Sequence, residues 1–291
     1  MKAAKKLLVA GLLGIGLIAD ASALAVYGLT STNTLVRFDS ATPGAITNNV
    51  AVTGLNAGAS LLGIDFRPAN GVLYGVSSDS RLYTINAMTG AASVVGSAGA
   101  FTLNGTSFGF DFNPVPDRIR ITSNADQNLR VNPNDGTLTA TDSTLAYAAG
   151  DANAGANPNV VGSAYTNSFA GATTTTLFAI DSVLDILASQ NPPNAGTLNT
   201  IGALGVNTSD DVGFDIFFFG NQAFASLTAP GGFSSLYGIN LATGAASLIG
   251  GIGSGLVIRD IAIVQVPEPA TGALLAVGLL GLALHARRKR D

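Results

Sequence analysis

The chain of 291 residues contains no cysteine and no tryptophan, one histidine (His285) and one glutamate (Glu268), both near the C-terminus. Between residues 24 and 265 there is also no lysine: the charged side chains are seven arginines and fifteen aspartates, a net charge of −8. These absences exclude a Ser-His-Asp triad, a cysteine nucleophile, a lysine Schiff base and a His/Cys zinc site from the body of the protein. The acidic balance argues against nucleic acid, because phosphate binding needs a basic footprint. Without cysteine the body must be stable with no disulfide, and about 240 residues suffice to bury a large core. What remains is Asp, Ser, Thr, Tyr, Arg and backbone. That inventory suits hard cations such as calcium, carbohydrate hydroxyls, and paired-Asp acid–base work.

The two ends differ from the body. Lys2, Lys5 and Lys6 precede an apolar run, Leu7 to Ala19, and small residues follow at Ala21, Ser22, Ala23 and Ala25. A basic head, a short apolar middle and an A-x-A ending predict a signal peptide over residues 1–25, removed by signal peptidase. The two A-x-A registers put the first mature residue at Leu24 or Val26. At the other end, "VPEPATGALLAVGLLGLALHARRKRD" joins a Pro-Glu-Pro box, an apolar span and a basic end. An apolar helix over 270–286 is just long enough to cross a thin hydrocarbon core, with Arg287, Arg288, Lys289 and Arg290 held on the cytoplasmic side.

Internal repeats decide the expected fold. "RLYTINAMTGAASVVG" from Arg81 and "SLYGINLATGAASLIG" from Ser235 share alternating apolar residues around a Thr-Gly turn, the hairpin pattern. Weaker copies begin at Thr34, Asn128 and Ile186. The turn glycines are Gly44, Gly90, Gly136, Gly196 and Gly244, a position that suggests positive φ in each turn. A second unit precedes the hairpins: "GIDFRPANGVLYGVSS" from Gly63, "GFDFNPVPDRIRITSN" from Gly109 and "GFDIFFFGNQAFASLT" from Gly213. In the copy from Gly162, Ala164 replaces the aspartate. The first hairpin lacks this strand, which reappears at the far end as "IRDIAIV" from Ile258. Units of about 46 residues with a terminal strand completing the first predict a β-propeller of five four-stranded blades. The blades fall at 24–54 with 258–264, then 60–100, 107–147, 160–205 and 211–253. Alternation alone also fits a β-sandwich or solenoid, and the polar insert 146–158, read as a mobile surface loop, could hold a degenerate sixth unit.

The repeated aspartates Asp65, Asp111, Asp215 and Asp260 are the candidate site. On inner strands they line the axis, where they either accept backbone N–H groups once per blade or form a channel site for calcium or a polar ligand. "SNADQNLRVNPNDG", Ser123 to Gly136, is rich in oxygen donors but lacks calcium-loop spacing, so it reads as Asx turns. Arg118 and Arg120, two apart on a strand, either contact a ligand or, by default, are exposed partners of Asp117 and Asp126.

The tail, through Val266, Pro267, Glu268 and Pro269, the apolar span and Arg287 to Arg290, resembles the PEP-CTERM sorting signal of Gram-negative bacteria. That resemblance implies recognition by an exosortase, a membrane cysteine protease-transpeptidase. It also implies anchoring in the inner membrane before sorting to the surface or extracellular matrix, usually in species that make exopolysaccharide. The body resembles a bacterial domain-of-unknown-function family marked by "GIDFRP", "LYTIN", "GFDFNP" and "DRIRI", which brings no activity. The expectation is therefore an exported, non-enzymatic propeller with no cofactor, calcium at the axial acids being the alternative, binding polysaccharide or surface proteins. The alternative is an extracellular carbohydrate hydrolase or lyase using channel Asp residues. Glu is the more usual proton donor in such enzymes, and the body has none.

Overall fold

Short alternating segments bounded by glycine and Asx turns form strands β1 to β21 in a computed structural model that describes residues 23–265. They pair into five sheets, antiparallel but for the short β12, arranged as a five-bladed propeller. Blade 1 joins β21 (Ile258–Ile263) to β1 (Ala25–Thr30), β2 (Thr34–Asp39) and β3 (Asn48–Ala51). Blade 2 holds β4 (Leu61–Phe66), β5 (Leu73–Ser77), β6 (Arg81–Ile85) and β7 (Ala92–Val95). Blade 3 holds β8 (Phe108–Asn113), β9 (Arg118–Ser123), β10 (Asn128–Val131) and β11 (Leu138–Thr141). The short β12 (Ala146–Tyr147) leads to blade 4: β13 (Val160–Tyr165), β14 (Leu177–Asp181), β15 (Ile186–Gln190) and β16 (Thr197–Ala203). Blade 5 holds β17 (Val212–Phe217), β18 (Gln222–Thr228), β19 (Ser234–Ile239) and β20 (Ala246–Gly251).

The first and last strands close the ring: β21 pairs antiparallel with β1, Val26 opposite Ile263 and Gly28 opposite Ile261. The predicted architecture and blade count stand, and three details change. Residues 146–147 do not end blade 3; β12 pairs parallel with β16 and becomes a fifth, outer strand of blade 4. The insert that follows holds no sixth blade. It is pinned to blade 4, where Asp151 accepts from the Thr200 backbone N–H (2.6 Å) and hydroxyl (2.6 Å), and Asn153 Nδ2 donates to Thr200 Oγ1 (2.8 Å). Positive φ occurs at Gly90, Gly136, Gly196 and Gly244 but not at Gly44, whose longer turn is closed by a bridge between Asp39 and Thr42. The expected signal peptide and the expected helix 270–286 lie outside the described residues. Within those residues no helix is long and apolar enough to cross a membrane.

Apolar side chains fill the spaces between neighbouring blades. One cluster packs Val161, Ala164 and Ile180 of blade 4 against Val212, Phe214 and Ile216 of blade 5, and another packs Tyr74 and Val76 of blade 2 against Phe110 and Phe112 of blade 3. Two sets of glycines allow the blades to approach. A Cβ on Gly90 or Gly244 would strike the backbone carbonyl of Ala51 or Gly202 on the outer strand of the preceding blade. Nearer the axis, Gly63, Gly109 and Gly213 stand two residues before Asp65, Asp111 and Asp215, where the inner strands nearly touch. A Cβ on Gly63 would lie 2.5 Å from Cβ of Phe110, and one on Gly213 would lie under 3.0 Å from the Ile261 backbone nitrogen.

Because backbone cannot yield as a flexible side chain can, Gly213→Ala is expected to destabilise the fold by about 1–3 kcal/mol. Equilibrium urea unfolding checks this. A change within about 0.5 kcal/mol of wild type would show that the inner strands are free to separate.

Candidate functional site

The four repeated aspartates sit at equivalent places on inner strands β4, β8, β17 and β21, and all four are buried. Each reaches across to the next blade around the ring. Asp65 Oδ2 accepts from Phe112 N–H (2.9 Å), Asp111 Oδ1 from Tyr165 N–H (3.1 Å), Asp215 Oδ2 from Ile263 N–H (2.5 Å), and Asp260 Oδ2 from Ile64 N–H (2.8 Å). Asp215 and Asp260 also use their second oxygens to accept from the following residue's amide, Ile216 (2.6 Å) and Ile261 (2.9 Å). The carboxylates thus link blades 2 to 3, 3 to 4, 5 to 1 and 1 to 2. The remaining junction, 4 to 5, is where Ala164 stands. Apolar packing joins those blades, with Asp210 Oδ1 accepting from Ser182 Oγ (2.6 Å) and Asn159 Nδ2 (2.8 Å).

Placing these acids together has an electrostatic cost. Burial raises the pKa of all four. For Asp65 the neighbouring Asp215 charge adds to it, and for Asp111 the charges of Asp65 and Asp215 do. Asp260 is raised by burial, which outweighs its bonds to the Ile64 and Ile261 amides, and Asp215 is brought to about 7. Asp65, Asp111 and Asp215 bring one oxygen each within 4.8 Å of one another, and Asp65 Oδ1 is buried with no hydrogen-bond partner. A buried ionised oxygen without a partner is costly. A proton on Asp65 removes that charge and supplies a donor toward its neighbours. A shared cation is the other arrangement that such a spacing accommodates.

The acids do not present a catalytic pair to solvent. A glycosidase carboxylate must reach substrate, whereas these four are shielded and turned to backbone amides. The Ser123–Gly136 segment forms Asx turns as expected, with Asn132 Oδ1 accepting from Asn134 N–H (3.1 Å) and Asp135 Oδ1 from Thr137 N–H (3.0 Å). Arg120 is buried, not exposed, and bonds Asp142 (2.7 Å), Asn128 (2.7 Å), Asn194 (2.8 Å) and Tyr165 Oη (3.2 Å), tying blade 3 to blade 4. Burial raises the Asp142 pKa, but Arg130 and Arg120 outweigh it and hold the carboxyl below its ordinary value. Asp117 pairs instead with Arg67 of blade 2, and Arg118 caps the backbone carbonyls of Pro116 and Asp117. The alternation of Arg118 and Arg120 did mark a shared face, but no local signal identifies partners as distant as Asn194. The sorting residues Val266 to Pro269 and Arg287 to Arg290 lie outside the described residues.

Fold and site together define a five-bladed β-propeller whose inner strands are cross-linked by buried carboxylates. Residues 34–262 match the model of the domain of unknown function DUF4394, and the chain belongs to that family. Residues 265–289 match the PEP-CTERM protein-sorting motif, which marks an exported protein that is held at the membrane, processed by exosortase and passed to the surface. No curated protein matches the chain. Among solved structures, similarity is found to the dihydro-heme d1 dehydrogenase NirN in complex with DHE, at 12% identity and a TM-score of 0.37, covering 77% of this chain and 42% of that one. A nidogen/laminin complex is similar at 13% identity and a TM-score of 0.46, covering 82% and 98%. The chain thus spans less than half the length of the NirN chain, and at these levels neither likeness bears on fold or function.

Because the folded pKa values lie above the unfolded value of about 3.9, protonation stabilises the native state. That stability is complete below pH 4 and is lost as pH rises, through about 7 for Asp215. In EDTA the melting temperature is expected to fall between pH 5 and pH 8, and Asp65→Asn to raise it at pH 8 by roughly 5 °C. Differential scanning calorimetry checks both. A pH-independent Tm, or a Tm restored at pH 8 by added calcium, would show that protons do not balance these charges.

Proposed function

We propose that the propeller is a non-enzymatic binding or structural module displayed at the cell surface or in the extracellular matrix, where it associates with exopolysaccharide. The observation that carries this reading is the engagement of all four axial acids with backbone amides, out of contact with solvent. Elsewhere the body has no histidine, cysteine, lysine or glutamate to supply a nucleophile or a tuned proton donor. With a net charge of −8, neutral glycans suit it better than polyanionic ones.

The purified mature protein is expected to be retained on at least one neutral polysaccharide in a glycan array, to release no reducing ends from it, and to bind equally well as Asp65→Asn. Retention on none would remove the polysaccharide part of the reading. Reducing ends released by wild type and abolished in Asp215→Asn would establish the hydrolase instead.

Packing also supports a mature N-terminus at Leu24. Leu24 is buried, its N–H donates to Ser40 Oγ (3.0 Å), and its carbonyl accepts from Ser40 N–H (2.9 Å). Cleavage after Ala23 keeps these contacts and cleavage after Ala25 removes them. Intact-mass analysis of the exported protein is expected to place the first residue at Leu24; Val26 would contradict it.

A further inference from the structure

The chain leaves the propeller at one defined place. Strand β21 is the innermost of blade 1, and Val264 and Gln265 emerge where the other four blades turn from their first strand to their second. In an antiparallel blade successive connections alternate between the two faces, so this exit and those four turns share one face. Hydrogen bonds agree. Gln265 Oε1 accepts from Phe218 N–H (3.0 Å) in the blade 5 turn, and Asn221 Oδ1 of that turn accepts from Asn167 N–H (2.9 Å) of the blade 4 turn. Arg67 and Asp117 join the blade 2 and blade 3 turns in the same way.

Every one of those four turns exposes an apolar side chain: Val72, Val115, Phe169 and Phe219, the last 71% exposed. Met88, on the blade 2 turn between β6 and β7, adds a fifth. Phe169, Phe218 and Phe219 form one aromatic run beside the exit, with ring centroids 6.1 and 6.4 Å apart. The opposite face also shows two exposed apolar residues, Val183 and Phe233, but its connections carry Asp79, Asp126, Asp185, Asp210 and Asp211, against Asp39, Asp135 and the Arg67-paired Asp117 on the exit face.

We infer that, before sorting, the face carrying Val72, Val115, Phe169 and Phe219 rests on the lipid headgroup layer, so that the propeller docks on the membrane in one orientation. This deepens the proposed function and rests on the C-terminal tail being the membrane anchor. The apolar span of the tail begins at Ala270, five residues after Gln265. Even fully extended, five residues reach only about 17 Å, so the exit face is held within reach of the interface. Phenylalanine gains by leaving water there, while the opposite, acidic face is kept from an anionic surface. Cutting the tail releases the same face, so exosortase processing both frees the protein and uncovers its aromatic run.

The absence of native cysteine permits a direct test. In the full chain, reconstituted into phosphatidylcholine vesicles, a fluorophore is placed at Phe219→Cys or, for the other face, at Val183→Cys, and quenched by nitroxide on lipid headgroups. Both positions are exposed, so neither change disturbs the core. Quenching at position 219 is expected to exceed that at 183 at least threefold. Equal quenching in vesicle-bound chain would overturn the docked orientation while leaving the anchor intact. A label at 219 shielded from both lipid nitroxide and aqueous iodide would also overturn it, pointing to a protein partner on that face. Failure of the full chain to associate with vesicles would remove the anchor itself.

Discussion

A carboxylate that crosses from one inner strand to a backbone amide of the next blade is the interaction on which the rest of this propeller depends. Near the axis five strands converge, and at the glycine positions their backbones come too close for a Cβ. On β4, β8 and β17 glycine two residues earlier removes the Cβ that would hold the strands apart, and aspartate then spans the short gap that remains. The two requirements explain why Gly and Asp recur together on those three strands, whereas β21 carries Ile258 before Asp260. Closing the ring through β21 adds the same bond from Asp260, so the terminal strand is latched in the same way as the internal ones.

The latch collects charge as it collects strands. Four acids near one axis cannot all be ionised without mutual repulsion in a poorly solvated space, and a proton or a shared cation relieves it. Perturbed carboxylates in a central position resemble a catalytic arrangement, yet the perturbation here follows from a structural task. Ala164 fits this view. Where the aspartate is absent, blades 4 and 5 join by apolar packing and by Asp210 at the rim, and a fifth buried charge is avoided.

Much of the architecture was legible in the sequence because a repeat shows its period directly, and because the displaced copy at Ile258 disclosed how the ring closes. The Asp positions were legible for the same reason, but the amides they bond were not, since register between separate blades is set by packing around the axis. Arg120 illustrates the limit. Alternation placed it on a face with Arg118, while its burial depends on Asn194 and Tyr165, brought to it only by the adjoining blade. Gly44 differed from its four counterparts because Pro43 and a longer turn change the local backbone. Likewise β12 passed from blade 3 to blade 4 because a two-residue parallel pairing has no sequence signature.

The axial acids hold neighbouring blades together through backbone amides. Native-state hydrogen exchange of the four recipient amides, Ile64, Phe112, Tyr165 and Ile263, tests it most directly. All four are expected to exchange only when the whole domain unfolds, and Asp111→Ala is expected to accelerate Tyr165 by at least tenfold relative to amides of blade 5. Rapid exchange of these amides in the native protein would contradict it, because the carboxylates would then be free to serve a ligand.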